Sequence, residues 1–145
     1  MPEDEPTGLT DITIDFLLLC DAAQVVGGKL YLMGGAWDRL QFPDYPQTLD
    51  MGLAFGVRVP WTESNRSHTF RIQGVNSDGT EHLFEVEGEF EVGRPPGTPR
   101  GMSQLFQVAM GIPLKVPKAG SYAVEAVVDS GKAARQAPYF AVKVP

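Results

Sequence analysis

Apolar and polar residues alternate over Ile12-Thr13-Ile14-Asp15-Phe16, and the chain is then apolar throughout from Leu17 to Cys20. Period two marks a strand, and the loss of alternation marks its passage from a half-exposed edge into the core. Lys29 to Met33 and Ala36 to Phe42 read as two more strands, separated by Gly34-Gly35. A glycine pair inside such a run predicts a bulge or a close backbone crossing. After the Pro43-Asp44-Tyr45-Pro46 turn, Met51, Leu53, Phe55, Val57 and Val59 recur at period two, which puts Gly52, Ala54, Gly56 and Arg58 on the other face of that strand. Small side chains there imply that something packs close against them.

The clearest hairpin runs from Ser67 to Val92. Its turn, Ser77-Asp78-Gly79, fits a three-residue loop closed by a glycine bulge, with Gly79 left-handed and Asn76 paired with Thr80. In that register Ile72 faces Phe84 and Phe70 faces Val86, while Arg71 meets Glu85 on the other face. A two-residue Asp-Gly turn would set Ile72 against Glu85 and mix core with solvent. Gly93 to Gly101, GRPPGTPRG, cannot be regular structure and reads as a long, stiff surface loop. Strands resume at Ser103 to Met110, Pro113 to Val116, Tyr122 to Val128 and Tyr139 to Val144, with an Asp129-Ser130-Gly131 turn. Ala133 to Ala137 supplies at most a turn, ended by Pro138. Eight or nine strands at this spacing predict an all-β fold, an antiparallel two-sheet β-sandwich, with a partly closed β-barrel as the alternative.

Length and charge narrow the picture. The 145 residues suffice for a single domain over 12–145, preceded by an acidic tail over 1–11 that is expected to be disordered. Glu3, Asp4, Glu5 and Asp11 supply four of the 18 acids, so the rest carries 14 acids against 12 bases and is close to neutral. No basic face is available for phosphates, which argues against nucleic acid as a partner. Cys20 is the one cysteine, so neither an intramolecular disulfide nor a cysteine-based zinc site can form, and it reads as a small buried hydrophobe. The Leu17-Leu18-Leu19-Cys20 run lacks the basic flank and the small residue of a lipoprotein signal, and it is too short to span a bilayer. A cytoplasmic protein without membrane contact is the expectation.

Candidate chemistry is sparse. Glu85, Glu87, Glu89 and Glu91 lie on the solvent face of one strand, about 7 Å apart, too far for neighbours to chelate one cation together. They read as a solvated face with Arg71, Arg58 or Arg66 as partners, and as a guard against stray strand pairing. His68 and His82, the two histidines, fall near opposite ends of the hairpin, facing Gly88 and Gly74, and share no site. No phosphate loop, dinucleotide fingerprint, paired-histidine zinc motif or catalytic triad motif is present, and no cofactor is implied. Asp21 and Asp38 flank the glycine-rich block, where each is either a turn acceptor or, with Trp37, part of a ligand site. Trp61, after Pro60 in a polar loop, is a candidate interface anchor. The loop residues Arg94, Pro95, Pro96, Pro99 and Arg100 form the most adaptable recognition element, because prolines reduce the entropy lost on docking and arginines grip carboxylates or carbonyls.

Two resemblances add to this reading. Gly120-x-Tyr122, the alternation after it, Asp129-Ser130-Gly131 and Phe140-Ala141-Val142 resemble the last two strands of immunoglobulin-like sandwich domains. The block Leu18-Leu19-Cys20-Asp21-Ala22-Ala23, with Gly28-Lys29-Leu30 and Gly34-Gly35-Ala36-Trp37, resembles a family of small uncharacterised bacterial proteins from about Ile12 onward. That resemblance implies a bacterial, cytoplasmic, stand-alone sandwich and transfers no catalytic residue. The functional expectation is a non-enzymatic module that binds a protein partner or its own copy as a homodimer. The alternative is a small-ligand or carbohydrate-binding sandwich with Trp37 or Trp61 as a stacking platform, and an enzyme of unrecognised class ranks third.

Overall fold

A computed structural model describes residues 11–145, so the expected acidic tail falls almost entirely outside the described residues. Among the described residues nine strands build the fold: β1 (Thr13–Val26), β2 (Lys29–Gly35), β3 (Arg39–Phe42), β4 (Gln47–Val59), β5 (Ser67–Asn76), β6 (His82–Glu91), β7 (Gln104–Val116), β8 (Gly120–Val128) and β9 (Ala133–Lys143). They form two sheets, of order β2-β1-β4-β7 and β3-β9-β8-β5-β6. The architecture is the expected all-β two-sheet sandwich, with one sheet curled. Every pairing is antiparallel except that of β3 with β9, which is parallel.

Period-two patterning builds the core. Leu53, Phe55 and Val57 of β4 are fully buried between the sheets, where they meet Ile72 of β5, Leu114 of β7 and Val124 and Val128 of β8. One connected apolar cluster spans both sheets. Its sides are stitched where strand edges of the two sheets approach. Phe90 of β6 stacks on Phe106 of β7 at 4.1 Å between ring centroids, and Arg135 of β9 donates from Nη1 to the Ile14 carbonyl of β1 at 2.9 Å.

Three expectations are corrected. Residues Ser103 to Val116, read as two strands, make one strand, β7, through Pro113, and Ala133 to Ala137, read as a turn, opens β9. Both prolines sit where no neighbour needs their missing N–H: β7 is an edge strand, and β3 joins β9 only from Phe140 onward. The β5–β6 register lies two residues from the expected one, with Ile72 facing Val86 and Arg71 facing Glu87. The turn is longer because Asn76 Oδ1 accepts from the N–H groups of Thr80 and Glu81 at 2.9 and 3.1 Å, and a bulge beside Leu83 adds one more residue. A shift of two preserves the faces, so the core and solvent assignments survive. The histidines move accordingly: His68 faces Phe90 and His82 faces Val75.

Candidate interaction surface

Beyond Cys20 strand β1 leaves its sheet. Its pairing with β4 ends at Cys20 opposite Gly52, whereas its pairing with β2 continues regularly from Ala22 opposite Met33 to Val26 opposite Lys29. The result is a two-stranded arm closed by Gly27-Gly28, whose φ angles of 59° and 77° suit a two-residue hairpin turn. The arm folds back across the outer face of its own sheet. A Cβ on Gly52 would lie 3.0 Å from the Ala22 Cα, one on Gly56 would lie 2.2 Å from the Phe16 ring, and Gln107 of β7 donates from Nε2 to the Gly28 carbonyl at 2.9 Å. The small-residue face of Gly52, Ala54 and Gly56 is therefore covered by the chain itself, which is the close packing expected there.

The arm has two faces of different character. Ala23, Val25, Leu30 and Leu32 are half-buried, while Ala22, Gln24, Val26, Lys29, Tyr31 and Met33 point to solvent. Val26 and Tyr31 are each 53% exposed and Met33 is 73% exposed. They form an apolar patch across the end of β1 and the edge strand β2, with a single charge, Lys29.

Cys20 lies beneath this arm and is fully buried. Burial first, and the neighbouring Asp21 carboxylate second, push its thiol pKa up against the opposing Ala22 backbone hydrogen bond, so the thiol stays protonated and a poor nucleophile. Asp21 itself is exposed, with its carboxylate in the space a side chain on Gly34 would need: a Cβ there would fall 2.2 Å from Oδ2. Asp38 is exposed, and its carbonyl accepts from the Phe140 N–H at 2.9 Å, at the start of β3. Trp37 is half-buried and meets Tyr139 edge to face at 6.3 Å.

The β6–β7 connection carries the proline-rich segment as two successive turns, closed by Thr98 N–H to Pro95 O at 3.0 Å and Met102 N–H to Pro99 O at 3.2 Å. Pro95, Pro96, Pro99 and Arg100 are exposed on it. Arg94 is spent within the chain: its guanidinium stacks 3.8 Å from the Trp61 ring, Nη2 donates to the Trp61 carbonyl at 2.9 Å and Nε to Ser64 Oγ at 2.7 Å. Structure thus joins Arg94 to Trp61, and Trp61 presents an occupied face. A shallow depression of about 510 Å³ runs beside the loop, with Arg58 and Met102 on its rim.

A pair that the sequence did not reveal lies on the five-stranded sheet. His68 is 2% exposed, and its Nδ1 sits 2.7 Å from Asp129 Oδ2 while Nε2 sits 2.8 Å from the Glu63 carbonyl. Asp129 Oδ1 also accepts from the Thr69 N–H at 3.0 Å. Both ring nitrogens face acceptors, which only the imidazolium satisfies in full. Burial works against that charge, but the Glu63 carbonyl and then the Asp129 carboxylate outweigh it and raise the His68 pKa. Burial likewise works to raise the Asp129 pKa, and the His68 and Thr69 hydrogen bonds bring it below the ordinary carboxylate value. The one signal in sequence was Asp129-Ser130-Gly131, read as a turn alone; Asp129 and Ser130 in fact hold φ of 52° and 59°.

Glu85, Glu87, Glu89 and Glu91 are exposed on β6, as expected, and Glu87 and Glu89 line an open depression of about 570 Å³ with Arg71 and Ser130. Of the expected arginine partners, two are engaged elsewhere and Arg71 stays opposite the array. Arg58 binds Asp15 at 3.0 Å, Arg66 binds Glu63 at 3.7 Å, and Arg71 stands opposite Glu87. Among the described residues no three acidic, histidine or cysteine side chains gather as a metal site, and no helix is long and apolar enough to cross a membrane.

A family model described as a family of unknown function, DUF6941, matches residues 15–139. The chain belongs to that family. The DUF6941 match takes in the arm, the proline-rich loop and the His68–Asp129 pair together. No curated protein matches the chain.

Proposed function

We propose that this member of DUF6941 is a non-enzymatic protein-interaction module, and that the solvent side of the β1–β2 arm is its contact surface. One observation carries the reading: Tyr31 and Met33 on the edge strand β2, and Val26 beside them at the end of β1, are each more than half exposed, and the one charged residue of β2 is Lys29. Exposed apolar groups at an edge are what strand-adding partners use. Supporting it, His68 has both nitrogens committed to acceptors of its own chain, and the Cys20 thiol is buried and kept neutral. The proposal also places the protein in the bacterial cytoplasm, where a lone free cysteine is in keeping. An immunoglobulin-like kinship is part of it, supported by Tyr122, whose hydroxyl donates to the Lys118 carbonyl at 2.6 Å in the manner of a tyrosine corner.

A photo-crosslinking amino acid in place of Met33 tests the reading in cells. One discrete adduct is expected, absent when the same group replaces Glu87. No adduct from position 33, together with turnover by the purified protein that His68→Ala abolishes, would sink it.

A further inference from the structure

Among the described residues four strands lie at the ends of the two sheets: β2 and β7 in one, β3 and β6 in the other. Three of these are protected against further pairing. Strand β6 carries Glu85, Glu87, Glu89 and Glu91, β7 carries Pro113, and β3 has four residues. Strand β2 carries one charge only, Lys29, beside its turn. From Lys29 to Met33 it contains neither an acid nor a proline.

Turn geometry says which of its backbone groups are free. A two-residue turn makes Val26 and Lys29 a hydrogen-bonded pair, and the alternation of an antiparallel ladder then commits Lys29, Tyr31 and Met33 to β1. The N–H and C=O groups of Leu30 and Leu32 consequently point off the free edge. They are donors and acceptors in the spacing that another strand requires.

We infer that a second copy of this chain docks on this edge, β2 against β2, antiparallel about a two-fold axis at Tyr31. The inference rests on the arm being the contact surface and names its occupant. In this register each Leu30 exchanges both main-chain bonds with the opposing Leu32, so all outward groups of the regular segment are used. Tyr31 meets its own counterpart in the closer, non-hydrogen-bonded kind of pair, where aromatic partners contribute most. Lys29 falls opposite Met33 at either end, so the one charge never meets its copy and its stem lies along a thioether. A register centred on Leu32 would draw in Gly34, whose φ of 60° is not extended. One centred on Leu30 would leave Leu32 unpaired. The strand is thus self-complementary in charge and in hydrogen bonding about one residue, which points to its own copy as occupant.

Light scattering on the eluting full chain, across a wide concentration range and with nothing added, is the first test. A dimer is expected, and Tyr31→Lys is expected to weaken it at least about tenfold by setting two ammonium groups opposite each other. Cysteine crosslinking reads the register independently. Tyr31→Cys is expected to form a disulfide-linked dimer on mild oxidation, because opposed residues in such a pair fall within disulfide range. Lys29→Cys and Met33→Cys are each expected to stay unlinked alone and to link when mixed. A wild-type chain that is monomeric at every concentration, or a Lys29→Cys chain that links to itself while Tyr31→Cys does not, overturns the inference. A monomer whose position 33 still crosslinks to one foreign protein overturns self-pairing while sparing the broader reading. A monomer without any adduct removes both.

Discussion

At the scale of single residues, the most determined group is the His68 imidazolium. It lies at the start of β5 and ties two distant loops, the Asp129 turn and the Glu63 segment, to the sheet. Its raised pKa stabilises the fold fully below its ordinary value of 6.5, and that contribution fades as pH rises through the folded value. The lowered pKa of Asp129 works in the other sense: its contribution is present above 3.8 and fades as pH falls through the folded value. The two together predict a stability maximum between 3.8 and 6.5 in this part of the profile. Asp129→Asn should cost about 2 kcal/mol in that window, the scale of a charge-assisted hydrogen bond, and less at higher pH where the ring is neutral. Urea titrations of both proteins across pH measure this, and a variant with an unchanged profile would show the pair to be idle. The pair was hidden in the sequence because its partners lie 61 residues apart and are joined only by the β5–β8 pairing. A lone histidine and a turn aspartate carry no local sign of one another.

Among the strands, local pattern and tertiary contact were unequally legible. The small residues at Gly52, Ala54 and Gly56 announced a close neighbour, and Gly34-Gly35 suggested a bulge or a close backbone crossing; the β1–β2 register runs through it unshifted, and Gly34 holds a φ of 60° with the Asp21 carboxylate beside it. What could not be read was the occupant. That Ala22 fills the space over Gly52 follows from β1 bending over its own sheet, which periodicity does not encode, while the Phe16 ring covers Gly56 from the facing position on β1. Similarly, the β5–β6 faces followed from alternation, whereas the register depended on how Asn76 closes the turn and on a bulge beside Leu83. Exposure of Tyr31 and Met33 was also out of reach, since apolar residues in a strand read equally well as core. The packing of the arm can be tested through Gly52. Gly52→Ala puts a methyl 3.0 Å from Ala22 backbone and 2.9 Å from Cys20 Sγ, neither of which is the end of a flexible chain. We expect a loss of about 1–3 kcal/mol and an arm lifted from its sheet. The informative readout is Cys20, whose labelling by a thiol reagent should quicken more than global unfolding accounts for. Labelling that tracks global stability alone would mean that the arm is not separately detachable.

For the molecule as a whole, the question is whether two sheets of different size fold as one unit. No strand of one sheet pairs with a strand of the other, so cohesion between them comes from the shared apolar cluster and from the two stitched sides. Phe90 and Phe106 make one of those sides, with rings parallel to within 4°. The stack joins β6, the edge of one sheet, to β7, the edge of the other, and it flanks the long proline-rich connection between these strands. Closure there limits the entropy that the connection would otherwise retain. Phe106 is only half-buried, so Phe106→Ala should cost about 2 kcal/mol, below the range for a fully buried phenylalanine. If the sandwich is a single cooperative unit, tryptophan fluorescence and far-ultraviolet circular dichroism should report the same lowered urea midpoint with an unchanged slope. Trp37 packs on Tyr139 of β9 and Trp61 lies under Arg94, so the fluorescence probe samples both the interior of the five-stranded sheet and the loop end. Separate midpoints for the two probes would show that the stack couples sheets which otherwise unfold in turn. Coincident midpoints would place the coupling in the shared core, leaving the arm as the part of the chain free to serve a partner.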